Sequence, residues 1–351
     1  MFDNVNDANS HSNSQDILLG SSPSDVTGVP PENDYSQNDN SQNDYANKVC
    51  AIIVTFNIGK KVLAGLESLI KQVNYVVIVD NNSADNSFLV AEDFAKQHHG
   101  RVQVVQSGIN NLALAQNLGI KAAKELGADF VLLMDHDSVA GEGMVASLRL
   151  AYENYNTNSD KKAAIIAPNL SDRFSVRRAY YICHVKRIFF RRRTFSDKNV
   201  GNEAILDDLM VAIASGSLIP MKVIEQIGMM NEDLCIDQVD FEWCLRAIIA
   251  GYKIIAVRDA MLEHQLGKCR DFKMLNMCIT TSNHNPTRRY YIYRNRLRLW
   301  RIYGLRLPAF VLFDICAIIF DLGKITFLEA NKRAKFKAIL KGVRDAIVGE
   351  K

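Results

Sequence analysis

From Lys48 onward the chain alternates short apolar runs with stretches of helical periodicity. Residues 49–56 form one such run, ending at Thr55-Phe56-Asn57. Residues 75–80 form a second, broken by Asn81-Asn82-Ser83. Runs at 102–106 and 129–134 repeat the pattern, with helical stretches at 60–72, between 83 and 102, and at 111–126. Short apolar runs without polar alternation suit strands buried on both faces. Strands alternating with helices predict βαβ units and a mostly parallel sheet, an α/β fold. Ligands of such sheets bind beyond the carboxyl ends of the strands. Asn57, Asp80 and Asp135 all fall at those ends.

The second half is less regular. Basic residues crowd positions 173–193, including Arg191-Arg192-Arg193. A strand-like run at 211–215 meets Gly216, a helix follows Pro220, 240–250 reads as a helix and 252–257 as a strand. Beyond Arg288 the sequence turns helical, basic and aromatic. The run 305–328 is apolar but carries Asp314, Asp321 and Lys324, which argues against a bilayer crossing. It fits either a helix lying in a membrane interface, flanked by Arg298, Arg301, Arg306 and the basic cluster at 332–337, or an amphipathic helix packed on its own domain.

Composition changes the picture at one end. Residues 1–47 are rich in Asn, Ser and Asp and repeat Ser-Gln-Asn-Asp at 36–39 and 41–44. So little apolar surface cannot offset the entropy of ordering, and the segment is expected to be disordered. It holds eight acidic residues and no Lys or Arg, so residues 48–351 carry +11 against the whole chain's +3. A surplus of that sign suits an anionic partner such as a nucleotide diphosphate, a phospholipid surface or a nucleic acid. The seven Cys residues, at 50, 183, 235, 244, 269, 278 and 316, form no CxxC pair, which argues against structural zinc and a disulfide framework. The polar, acidic N-terminus lacks the features of a secretory signal. A cytoplasmic protein is the expectation.

Three acidic constellations carry candidate chemistry. Asp135-His136-Asp137 follows an apolar strand directly, where two carboxylates can meet a hard divalent cation, or one can hold the metal and the other a ribose. Mg²⁺ or Mn²⁺ there would offset charge developing on a departing diphosphate. Asp80 opens Asp-Asn-Asn-Ser-Ala-Asp, in which Asn82 and Ser83 add polar groups; a base or ribose contact and a plain capped turn are both open. The third is Asp237-Gln-Val-Asp240-Phe-Glu242-Trp243, followed by Arg246. Glu242 and Arg246 lie four apart and can pair on one helix face. Asp240 would sit in the first turn, where the helix dipole favours an ionised carboxylate able to take an acceptor's proton. His264 can complete a metal shell. The segment Arg288-Arg289-Tyr-Tyr-Ile-Tyr-Arg294-Asn295 can clamp phosphate or face lipid.

Taken in order, Val54-Thr-Phe-Asn57, Val79-Asp-Asn-Asn-Ser83, Gln116-Asn117-Leu-Gly119, Asp135-His-Asp137, Ser215-Gly216, Asp237-x-x-Asp-x-Glu-Trp243 and His264 resemble the GT-A, family 2 glycosyltransferases. Among these the chain is similar to the bacterial rhamnosyltransferase branch, over roughly residues 48–300. The resemblance implies a GT-A catalytic domain at 48–285, with a nucleotide-binding half (48–140) and an acceptor half (141–285), followed by a basic amphipathic helical region at 286–351. It implies an inverting enzyme using dTDP-L-rhamnose, Mg²⁺ or Mn²⁺, and a growing cell-surface or lipid-linked glycan as acceptor, placed on the inner face of the plasma membrane.

Carried over by motif, the nucleotide-sugar would meet Thr55, Asn57, Asp80, Asn82, Ser83, Asn117 and Asp135. The metal would meet Asp137, Asp135 and His264, and Asp240 would be the base. Gly216, Asp237, Glu242, Trp243, Arg289 and Arg294 are the acceptor or phosphate candidates. His136 stands where the family usually has another residue, and the acidic tail is outside its pattern.

Other readings fare worse. A sugar-phosphate nucleotidyltransferase needs a richer phosphate loop than Phe56-Asn57-Ile-Gly-Lys60, and an oxidoreductase needs GxGxxG after the first strand. No zinc pattern or RNP signature supports nucleic-acid binding. A family 2 transferase with another donor, such as UDP-glucose or UDP-galactose, and a non-catalytic nucleotide-sugar-binding scaffold remain as alternatives.

Overall fold

The first strand, β1 (Val49–Thr55), is buried along its whole length and divides its side chains between two cores. Cys50, Ile52 and Val54 enter one core; Val49, Ala51 and Ile53 enter the other. Burial on both faces is the reason for its unbroken apolar sequence. This computed structural model describes residues 47–171, 180–186, 188–195, 204–264, 270–274, 277–281 and 283–349. The expected disorder of the acidic tail lies outside the described residues, as does part of the basic stretch 173–193.

From β1 a single turn leads into α1 (Leu63–Ile70), β2 (Tyr75–Asp80), α2 (Ser87–Gln97), β3 (Val102–Gln106), α3 (Leu112–Glu125) and β4 (Phe130–Asp135). Each expected element of this half is present. Asn111 caps α3, accepting a hydrogen bond from the Leu114 N–H at 3.1 Å. Gly119 lets α3 lie close on the sheet, since a Cβ there would stand 2.3 Å from Ile52 Cγ2.

The chain continues through β5 (Val139–Ala140), α4 (Met144–Asn158), β6 (Ala163–Ser171), β7 (Tyr181–Lys186), β8 (Phe189–Arg193), β9 (Ile205–Leu206), β10 (Leu209–Val211), β11 (Ser217–Pro220), α5 (Met221–Ile227), α6 (Val239–Ile249), β12 (Lys253–Glu263), β13 (Arg270–Met274) and β14 (Met277–Thr281). Among the described residues the main sheet runs β3-β2-β1-β4-β11-β6-β12-β5, with β9 beside β12. Strands β3, β2, β1 and β4 are parallel, whereas β11 is antiparallel to both β4 and β6. Separate small sheets join β10-β7-β8 and β13-β14. The architecture is a mixed α/β fold of the GT-A kind. The strand expected at 211–215 is a correction: β10 stops at Val211 and β11 starts at Ser217. Gly216 between them is left-handed (φ 77°), the Ala214 N–H is taken by the Asp240 carboxylate, and Ser215 Oγ accepts the Asp135 backbone N–H.

Three helices close the chain: α7 (Pro286–Tyr303), α8 (Pro308–Leu328) and α9 (Lys332–Val348). Ile292, Tyr293, Ile325 and Ile339 give them their own small core. Arg289 is buried between them, paired with Asp321 at 2.5 Å and Glu329 at 2.8 Å. Lys335 closes the same network on Glu329 at 2.8 Å. Among the described residues no helix is long and apolar enough to cross a membrane.

Candidate active site

The register of the parallel strands places the acidic residues. Asp80 is opposite Thr55 and Asp135 is opposite Val54, so both carboxylates flank the carboxyl end of β1. Asp80 is buried and accepts hydrogen bonds from Thr55 Oγ1 at 3.2 Å and the Ser83 N–H at 3.0 Å. Ser83 Oγ accepts the Asn57 N–H at 3.1 Å, and Asn57 Oδ1 accepts the Ala84 N–H at 2.8 Å. These bonds tie the loop after β1 to the loop after β2. Asn57 and Asn82 both hold left-handed backbone, at φ 48° and 63°, a conformation Asn tolerates better than most residues. Thr55, Asn57, Asp80, Asn82 and Ser83 thus share one strand-end wall.

Asp135, Asp137 and His264 each offer a ligand atom, and these atoms lie within 4.8 Å of one another. His264 Nδ1 stands 3.9 Å from a carboxylate oxygen of each Asp. Two carboxylates and an imidazole at that spacing fit a divalent cation such as Mg²⁺ or Mn²⁺. A chain of hydroxyls supports them. Ser138 Oγ is 2.7 Å from His264 Nδ1 and 2.9 Å from Ser215 Oγ, which accepts the Asp135 N–H at 3.2 Å. Hydroxyls in such a place fix the orientation of the ring behind the candidate ligands. The Asp135 side chain is 45% accessible, yet the rest of it is crowded by protein. Desolvation therefore raises its carboxyl above the usual range, opposed by His264, reinforced by Asp137 and opposed again by His136 and Arg288.

Asp240 opens α6 on the neighbouring wall. Its Oδ2 accepts the Ala214 N–H at 3.3 Å and its Oδ1 accepts the Phe241 N–H at 2.9 Å. Residues 214 and 215 thus hold Asp240 and Asp135 from adjacent backbone positions. Burial pushes the Asp240 carboxyl up to about 6, the two backbone donors pull it down, and the charges of Asp135 and Asp237 add to the rise. Such a group is ionised at neutral pH and still basic enough to take a proton.

Asp237 precedes α6 and accepts from Arg288, whose Nη2 is 3.0 Å from its Oδ1 and whose Nε is 3.1 Å from its Oδ2. The same guanidinium acts electrostatically on Asp135. Cys235, Asp237 and Gln238 all adopt left-handed backbone, with φ of 60°, 61° and 64°. Asn295 on α7 holds this strained loop by donating from Nδ2 to the carbonyls of Leu234 (2.8 Å), Ile236 (2.9 Å) and Asp237 (3.0 Å).

Several candidates from the sequence are engaged by partners within the protein. Arg289 does not reach the cleft, because Asp321 and Glu329 engage it inside the helical region. Arg294 is buried and donates to the carbonyls of Asp233 (2.8 Å) and Leu234 (3.3 Å). Glu242 is buried and accepts from Arg246 at 3.0 Å to Oε2 and from Tyr303 Oη at 2.5 Å to Oε1. Trp243 is a core residue whose Nε1 donates to the Gly228 carbonyl at 2.9 Å. Asn117 donates to the Met230 carbonyl and Glu232 Oε1 and accepts the Met230 N–H, which uses its amide inside the protein. Gly216 lies under the site, where a Cβ would meet Pro168 Cγ at 2.5 Å and Leu262 Cδ2 at 2.8 Å.

Sequence reasoning passed over Ser138, and it named Ser215, Arg288 and Asn295 only within longer motifs, singling out Arg289 and Arg294 instead. Helical spacing could have found Arg288 and Asn295: they are seven apart on α7 and share the face toward residues 234–237.

The sheet order, with an acidic cluster at its strand ends, is that of the GT-A fold. The profile of "Glycosyl transferase family 2" matches residues 50–226, and the chain belongs to that family. It is 31% identical over 304 residues to the dTDP-rhamnosyl transferase RfbF of Shigella flexneri, spanning 86% of this chain and 95% of that protein. It is therefore a rhamnosyltransferase-like glycosyltransferase. A crystal structure of S. aureus TarS residues 1-349 superposes with a TM-score of 0.54 at 14% identity, covering 86% of this chain and 81% of that one. GalNAc-T7, solved with UDP, GalNAc and Mn²⁺, superposes at 0.52 with 15% identity, covering 72% of this chain and 48% of its own.

Proposed function

We propose that this enzyme transfers L-rhamnose from dTDP-L-rhamnose to a hydroxyl of a cell-surface or lipid-linked glycan, with inversion, in a reaction dependent on Mg²⁺ or Mn²⁺. The observation that carries the reading is the cluster of Asp135, Asp137 and His264, joined to Asp240 through the adjacent residues 214 and 215. RfbF, similar over nearly its whole length, supports the rhamnosyl donor. The Mn²⁺ and UDP bound by GalNAc-T7, and the UDP-GlcNAc bound by TarS, support a nucleotide-sugar and a cation on this fold.

In this mechanism Asp80 takes the base or ribose, with Thr55, Asn57, Asn82 and Ser83 shaping the wall around it. Asp135, Asp137 and His264 would hold the cation, which would offset the charge growing on the diphosphate. Arg288 turns from Asp237 toward the diphosphate, a role assigned in place of Arg289 and Arg294. Asp240 accepts the acceptor's hydroxyl proton as that oxygen attacks the anomeric carbon from the face opposite the diphosphate. One displacement inverts the configuration.

The donor is tested by thermal shift with dTDP-rhamnose, UDP-glucose, UDP-galactose and GDP-mannose, each with and without Mn²⁺. Stabilisation by dTDP-rhamnose above the others is the expected result. Stabilisation by a UDP-sugar alone overturns the donor and leaves the family untouched.

A further inference from the structure

Helix α8 is built inside out. Its water-facing positions are Leu312, Ile315, Cys316, Ile319, Phe320, Thr326 and Phe327, with no charge among them. Ile319 is 66% exposed, Phe320 58% and Phe327 80%. Its acidic residues face the protein instead: Asp314 is buried against Arg296 at 3.2 Å and Trp300 Nε1 at 2.8 Å, and Asp321 pairs with Arg289, while Lys324 stands 5.2 Å over the Phe320 ring. A helix on a water-bathed surface carries the reverse arrangement. Six apolar side chains in one stripe also exceed the scattered exposure ordinary for a soluble surface.

The stripe has a basic neighbour. Strand β8 lies against α8, with the Phe190 and Phe313 rings packed edge to face at 5.5 Å between centroids. Its hairpin with β7 exposes Val185, Ile188 and Phe189, followed by exposed Arg191 and Arg192. The apolar side chains of the hairpin repeat what the α8 stripe offers, and the arginines add positive charge beside them. Two copies meeting through this face would bring their arginines together, whereas an anionic bilayer would attract them.

We propose that the outer stripe of α8 and the tip of the β7–β8 hairpin form a docking surface for an anionic lipid bilayer. The helix lies in the plane of the headgroups with Ile319, Phe320 and Phe327 in the acyl boundary, and Arg191 and Arg192 meet lipid phosphates. No membrane crossing is involved, in keeping with the length and polarity of the described helices. The inference stands apart from the identity of the donor sugar.

The test is flotation of the full chain with phosphatidylcholine vesicles, with and without phosphatidylglycerol, at low and high salt. Wild type is expected to float with the anionic vesicles, and about tenfold less with the neutral ones or at high salt. Ile319→Glu/Phe320→Glu and, separately, Arg191→Glu/Arg192→Glu are each expected to lower the bound fraction about tenfold, with nucleotide-induced thermal stabilisation unchanged. If the glutamate pair on α8 fails to fold, Ile319→Ser/Phe320→Ser is read in the same way. Wild type left unfloated by both vesicles, or both variants floating like wild type, overturns the proposal. So does a wild type that scatters light as a dimer, does not float, and becomes a monomer on Ile319→Glu/Phe320→Glu.

Discussion

Burial lifts the Asp240 carboxyl to about 6 from an ordinary 3.8. The native state therefore binds that proton more tightly than the unfolded chain does. The stability this group contributes is complete below about pH 3.8 and is lost as pH rises through about 6. At pH 7.5 the ionised group costs the fold about 1–3 kcal/mol. Asp240→Asn is accordingly expected to raise the melting temperature at pH 7.5 and leave it nearly unchanged at pH 4. If Asp240 is the base, the same change lowers transfer by about 10²–10⁴-fold and leaves nucleotide-induced stabilisation in place. An active Asn variant would remove Asp240 from that role. For wild type, kcat/KM should fall about tenfold per pH unit below about 6, as the carboxylate takes up a proton. The acids were legible as single residues because each follows a strand or opens a helix. Arg288 and Arg289 were not separable in this way, since one step along α7 turns a side chain from Asp237 to the interior.

The loop before α6 depends on a different element for its shape. Three left-handed residues in four positions, none of them glycine, are costly unless the surroundings hold them. Asn295 supplies that hold through three carbonyls. Asn295→Ala removes the donor these carbonyls share, though Leu234 keeps Arg294, and a loss of about 2–4 kcal/mol is expected in denaturant unfolding. If the loop positions the base, kcat falls as well, while the nucleotide-induced thermal shift persists. Gly119→Ala tests the seating of α3. The added Cβ would collide with Ile52, and about 1–3 kcal/mol of destabilisation is expected. The strand–helix series of the first half was readable because both cores select apolar residues at every position of β1, β2 and β4 but the last. Strand β11 was not, because an antiparallel insertion between β4 and β6 has no local signature.

Across the molecule, the site draws on segments far apart in sequence: the strand ends at 55–83, the 135–138 turn, residues 214–215, the start of α6, His264 and α7. If the cation bridges donor and protein, chelation with EDTA should abolish most of the nucleotide-induced thermal shift and Mn²⁺ should restore it. Asp137→Ala should reproduce the chelated behaviour with Mn²⁺ present. A full shift in EDTA would take the metal out of donor binding.

The sequence by itself determined the alternation of strands and helices, the family and the positions of the acidic motifs. Those depend on periodicity and on residues adjacent along the chain. Only the tertiary structure decided which charges meet. It sent Arg289, Arg294 and Glu242 to structural partners and paired Arg288 with Asp237. It left the apolar side of α8 facing outward, because the charged side found Arg289 and Arg296 within the protein. Side-chain direction is fixed by what packs across the fold, and no local pattern encodes those neighbours.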